Sequence, residues 1–218
     1  MMQNPHDDIA QVRARIATLA ARLVAQDGAD YGSAKRKAAR QVLGETNAGK
    51  RDLLPDDAQV EEEVRQYHAL FNADTQPARL QQLRVAALAV MEQLADFNPF
   101  LTGAVLNGSA GAHDDIHLQL FADSAKAVQI YLLNRNVTID IGETGHFKGA
   151  RHDPVETVSF LWQGEGVHAE LYEEHDLRGA RKQKSGERPV RADLAEVRAL
   201  VEAGVISDNT KNTEHGNE

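Results

Sequence analysis

The chain has 218 residues, 42% of them hydrophobic and 26% charged, with a formal net charge of −9. That length allows one domain or two small ones. It holds no cysteine, which excludes a disulfide scaffold, a thiolate zinc site, an iron–sulfur cluster and a cysteine nucleophile. The acidic balance argues against nonspecific DNA binding. No apolar run reaches the ~18 residues of a membrane-crossing helix. The opening MMQNPHDDIAQ has no apolar signal core, so a cytoplasmic protein is expected.

The first part of the chain reads as helical. Ile9, Val12, Ile16, Leu19 and Leu23 recur at steps of three and four, with Gly28 as a stop. A second helix is expected over Ala34–Leu43, ending at Gly44. A third follows Pro55-Asp56-Asp57 and runs through Val60, Val64 and Tyr67 to Leu70 and Phe71. A fourth, announced by Pro77, carries Leu80, Leu83, Ala87, Val90 and Leu94 and stops near Asn98-Pro99. Short connections between them suggest a helical bundle or layer.

The pattern changes at Phe100. Ala104–Asn107 reads as a short apolar strand ending in Gly108-Ser109. Ile116–Phe121 alternates, with Ile116, Leu118 and Leu120 on one face. Ser124 is the expected cap of a helix through Leu133. Val137–Ile141 is expected as a strand with Val137, Ile139 and Ile141 inward. Thr157–Trp162 and Val167–Tyr172 read as two more strands joined by a tight turn. Asp193–Ala203 is a final helix, and the polar SDNTKNTEHGNE end is expected to be disordered. The expected class is α+β: a helical region over 1–99, a mixed sheet with flanking helices over 100–206 and a tail over 207–218.

Alternation puts Asp115, His117 and Gln119 on one strand face, with side chains at i and i+2 about 7 Å apart. Two ligating groups at that spacing can share a metal ion. Asp140, pointing opposite to the inward residues of its own strand, can join them if the two strands are neighbours. His113, Asp115 and His117 form a second, overlapping set that suits a transition metal and hence a metal-dependent hydrolase. His146, His152 and His168 supply further candidate ligands, without diagnostic spacing. The plainer reading of this run is a solvent-facing polar strand.

Gly44–Lys50 matches a phosphate-binding loop up to its last position, where Arg51 replaces Ser or Thr. A helix precedes it rather than a strand, so it reads as an interhelical loop. Asn107-Gly108-Ser109-Ala110-Gly111 lacks the spacing of a nucleophile elbow. Two basic clusters stand out, Lys35-Arg36-Lys37 with Arg40, and the Arg178–Arg191 stretch that includes Lys182. Either can hold a polyphosphate or an RNA backbone, or be a solvated surface.

A strand ending in Gly108-Ser109, a loop, a strand carrying Asp115-Ile116-His117, a helix, and a strand carrying Asp140 together resemble the core of the nucleotidyltransferase superfamily. The resemblance covers roughly residues 100–172. It implies that Gly108 and Ser109 contact nucleotide phosphates. It implies that Asp115 and Asp140 are metal-binding catalytic carboxylates, and that His117 stands at the second acidic position. Arg178 and Lys182 would then neutralise a triphosphate near the site mouth. The implied reaction is Mg²⁺- or Mn²⁺-dependent transfer of a nucleotidyl group from a nucleoside triphosphate to an unknown acceptor. His117 departs from the family, because imidazole is a poor magnesium ligand and suits zinc, manganese or iron. Loss of a carboxylate also weakens the hold on two cations. The alternative is therefore a catalytically inactive relative that binds nucleotide, RNA or a protein. An Ala-rich helical half also leaves room for a homodimer.

Overall fold

The computed structural model describes residues 5–44, 50–180 and 189–214. Among them no helix is long and apolar enough to cross a membrane. The chain forms two compact units, Met1–Pro77 with Ser109–His113, and Ala78–Gly108 with Asp114–Glu218.

The first unit is built from three helices, α1 (Pro5–Asp27), α2 (Tyr31–Leu43) and α3 (Asp57–Phe71). Local chemistry sets their ends. The Asp30 carboxylate accepts from the Ser33 amide at the start of α2, and Gly44 with φ 72° closes it. Asp56 and Gln59 form a reciprocal capping box at the start of α3. The core joins Ile16, Ala17, Ala20, Ala21 and Val24 of α1 to Ala34, Ala38 and Ala39 of α2 and to Val60 and Val64 of α3. The buried stripe of α1 is thus rotated from the predicted one toward its alanines. Their small side chains let the helix axes approach closely, and Val12, Leu19 and Leu23 pack at the rim.

In the second unit, helix α4 (Gln76–Gln93) buries Leu83, Ala86, Ala87, Val90 and Met91. The sheet strands are β1 (Phe100–Thr102), β2 (Ile116–Ala122), β3 (Asp140–Thr144), β4 (Val155–Trp162) and β5 (Glu165–Glu173). Their order across the sheet is β1-β2-β5-β4-β3. β2 and β5 are parallel and the other neighbours antiparallel, so the class is α+β with a mixed sheet. The remaining helices are α5 (Gly103–Asn107), α6 (Ala125–Leu133), α7 (Leu177–Ala180) and α8 (Leu194–Glu214).

Three expectations are corrected here. Ala104–Asn107 is not a strand but helix α5, bracketed by Gly103 (φ 68°) and Gly108 (φ 87°). A short apolar run carries no period, and two left-handed glycines favour a single helical turn. The strand predicted at Val137–Ile141 begins at Asp140 instead, and Ile141 is 60% exposed. Asp140–Glu143 are all exposed, so neither face of this edge strand is packed into the core. Helix α8 also continues past Ala203 to Glu214.

One sheet face is apolar. Leu101, Ile116, Leu118, Leu120, Val158, Val167, Ala169 and Leu171 are buried there, as period-two alternation requires. On the other face a smaller cluster of Phe100, Phe121, Tyr172 and Ala180 is buried, with Phe147, Val155 and Leu177 packed against it. That cluster closes one half of the second face.

Candidate functional site

The other half of that face is polar. The strand registers set one row of residues across all five strands: Thr102, His117, His168, Ser159 and Asp140. The His117 and His168 rings face each other with centroids 5.4 Å apart. The Ser159 hydroxyl lies 2.8 Å from His168 Nδ1. His117 keeps an open side to solvent, while crowding by the protein and the neighbouring His168 hold its protonation below the ordinary histidine range.

Asp115 precedes β2 and keeps the face predicted for it. Its carboxylate lies over Gly166, where a Cβ would stand 2.1 Å from Oδ1. Gly103 makes the matching clearance beside His117, with a left-handed φ and a Cβ position 3.6 Å from the His117 Cβ. Gly166→Ala is expected to turn the Asp115 side chain away. Asp115 favours the charged form of His117, so the variant should titrate His117 at a lower pH still. NMR titration of the ring checks this, and an unchanged curve would mean that Asp115 had not moved.

One step toward the closed half lies a second row, which includes Gln119 and Glu170. Gln119 Nε2 donates to Glu170 Oε2 at 2.8 Å, and the Tyr172 hydroxyl donates to the same oxygen at 2.6 Å. Arg191 donates to Gln119 Oε1 and stacks over Phe147 at 4.3 Å. Burial, then the bond to Glu170, push the Tyr172 hydroxyl well above the usual phenol range. Glu170 is thus a carboxylate held in position beside the two histidines.

Comparison of the chain with protein-family models, with curated proteins and with solved structures returns no match. The site is therefore read from its own chemistry.

The predicted residues fare unequally. Asp115 and His117 share one sheet face. Asp140 lies in the row of His117, but β5 and β4 stand between their strands, a separation of about 14 Å at the usual strand spacing. The convergence expected of Asp115, His117 and Asp140 does not occur. His113 lies in a turn outside β2, its Cβ 3.0 Å from the position a Gly28 side chain would take, so the His113–Asp115–His117 strand set does not form. Gly108 ends α5, and the Arg84 guanidinium donates to the last carbonyls of that helix, Val105 at 3.2 Å and Leu106 at 3.4 Å. Ser109 is buried, its hydroxyl 3.2 Å from that of Tyr31. Arg178 is exposed on α7, and Lys182 lies outside the described residues, as does most of the Gly44–Lys50 loop.

Magnesium or manganese does not fit the donors present. Among the described residues no three His, Asp or Glu side chains converge to hold a metal ion. One oxygen of Glu170 is occupied by Gln119 and Tyr172, and His168 Nδ1 by Ser159.

The strand expected at Val167–Tyr172 is β5, and His168 stands among the candidate ligands, but its pairing with Glu170 and its place beside His117 were not foreseen. His168 and Glu170 alternate along β5 as His117 and Gln119 do along β2, and that alternation was the available signal. Sequence reasoning also missed a cleft of about 430 Å³ at the C-terminal ends of β2 and β5, lined in part by Asp123, His146, His152, Asp153 and Asp176. There His146 is a strut. Its Nδ1 accepts from the Lys148 amide at 3.0 Å, and its Nε2 faces buried Asp176 at 3.3 Å. With both ring nitrogens engaged, it is poorly placed to act as a base or a ligand.

Proposed function

We propose that the second unit is a nucleotidyltransferase-like scaffold that binds a nucleotide or similar phosphorylated small molecule without metal-dependent transfer. One observation carries this reading. The open half of the polar face offers two facing imidazoles, His117 and His168, with the Ser159 hydroxyl and the Asp115 carboxylate. Two-cation chemistry needs clustered carboxylates to offset the charge of both ions. An imidazole at the second position supplies no negative charge and leaves hydrogen bonding as the means of recognition. The two glycines, Gly166 and Gly103, leave room for the Asp115 and His117 side chains themselves to lie against the sheet.

The test is calorimetric titration of ATP, GTP, CTP and UTP with and without Mg²⁺ or Mn²⁺, on wild type, Asp115→Ala and His117→Ala. The expected result is binding that persists without metal and weakens at least about tenfold in His117→Ala, the order of one or two lost hydrogen bonds. A parallel pyrophosphate assay is expected to stay silent. Pyrophosphate release that Asp115→Ala abolishes would restore the metal-dependent transferase. Absence of binding to every nucleotide would turn the search to RNA or protein partners.

A further inference from the structure

The two edges of the sheet are treated differently. At the β1 edge, Leu101 and Ala192 exchange reciprocal backbone bonds, 2.8 Å from the Leu101 amide and 2.9 Å from the Ala192 amide. That edge is covered by the chain itself. At the other edge, β3 has β4 on one side and, among the described residues, no strand or bridge on the other. Asp140, Ile141, Gly142 and Glu143 are all exposed. An edge of this kind presents free amides and carbonyls that can template a further strand.

Its charge says what kind of strand. β3 and β4 together carry Asp140, Glu143 and Glu156 and no lysine or arginine. Glu143 and Glu156 are directly opposite in the register, a like-charge arrangement that is unfavourable unless a cation lies nearby. Asp140 and Glu143 project to opposite faces, so both faces of the edge are acidic. A second copy of a chain with net charge −9 is repelled there. A basic strand is attracted on both faces.

We propose that the β3 edge is a docking site for an extended basic segment of a protein partner, which adds to the sheet as a sixth strand. Backbone bonds to β3 supply general affinity, and side chains supply selection. Ile141, 60% exposed, takes an apolar neighbour. Asp140 and Glu143 each take a lysine or arginine, one on each face. An antiparallel partner therefore reads Thr-Lys-Thr-Val-Lys or a close variant, its lysines beside Glu143 and Asp140 and its valine beside Ile141. This site is separate from the sheet-face ligand of the preceding section, and nucleotide titration does not report on it.

Amide hydrogen exchange of the full chain tests it, with a soluble synthetic peptide containing Thr-Lys-Thr-Val-Lys and a control in which glutamate replaces both lysines. The basic peptide is expected to slow exchange within Asp140–Thr144 while leaving β1 unchanged. The control peptide is expected to have no effect. Glu143→Lys, at an exposed position that leaves the fold intact, is expected to weaken binding about fivefold. Equal protection by both peptides, or none by either, overturns the proposal. Protection that rises with protein concentration in the absence of peptide would assign the edge to a second copy instead and overturns it as well.

Discussion

Phe121→Ala is expected to lower the stability of the protein by about 3–5 kcal/mol. The side chain is fully buried. Its ring meets Phe100 edge-on at 5.6 Å, stacks with Tyr172 at 5.4 Å and meets Phe147 at 6.4 Å. Removing it leaves a cavity whose walls are three other aromatic rings, and rigid rings collapse poorly into such a space. The loss also reaches the site, because Tyr172 carries the hydroxyl that holds Glu170. Urea unfolding checks the value: with a slope of about 2–3 kcal/mol/M the midpoint falls by about 1–2 M. Ile141→Ala on the exposed edge is the control and should cost less than about 0.5 kcal/mol. A loss below about 1 kcal/mol for Phe121→Ala would show that the aromatic cluster is not a core.

The second large effect is expected at Asp176. Its side chain is only 6% exposed and pairs with Lys148, which is 30% exposed, and with His146. Burial works against its charge, but the hydrogen bonds from Lys148 and His146 outweigh that and hold its carboxyl below the ordinary 3.8. Asp176→Ala is expected to cost about 2–4 kcal/mol at neutral pH. That is somewhat below a fully buried pair, because the lysine can turn to water. The sign with pH follows from the lowered value. A carboxyl more acidic in the folded state stabilises fully above its unfolded pKa and loses that contribution as pH falls through the folded one. The difference between wild type and variant should be constant above about pH 5 and shrink in acid. Chemical denaturation at several pH values checks this. A difference independent of pH would assign the loss to packing instead of charge.

The two effects lie on different levels of the structure. Phe121 acts through nonlocal packing that no local pattern announces. Asp176 acts through a pair whose members, Lys148 and Asp176, are 28 residues apart. Neither was visible as a candidate in the chain, since a phenylalanine in an alternating strand and an aspartate after another strand are commonplace.

What the sequence determined by itself is local. Asp30, Asp56 with Gln59, and Ser124 mark helix starts through bonds to amides three residues on, and all three operate as caps. Alternation set the faces of β2 correctly, so Asp115 and His117 could be paired before the fold was known. The same rule could have paired His168 with Glu170. Period two assigns each side chain to a face, but it is silent on which strand lies beside which. Strand order is a long-range choice, made here by burying Ile116, Leu118 and Leu120 of β2 alongside Val167, Ala169 and Leu171 of β5. That choice inserted β5 and β4 between Asp115 and Asp140, made β3 an open acidic edge, and put His168 and Glu170 where Asp140 had been expected. Only the tertiary structure decided those neighbours, because the free energy of sheet order comes from apolar area shared between distant segments and not from any residue's own preference.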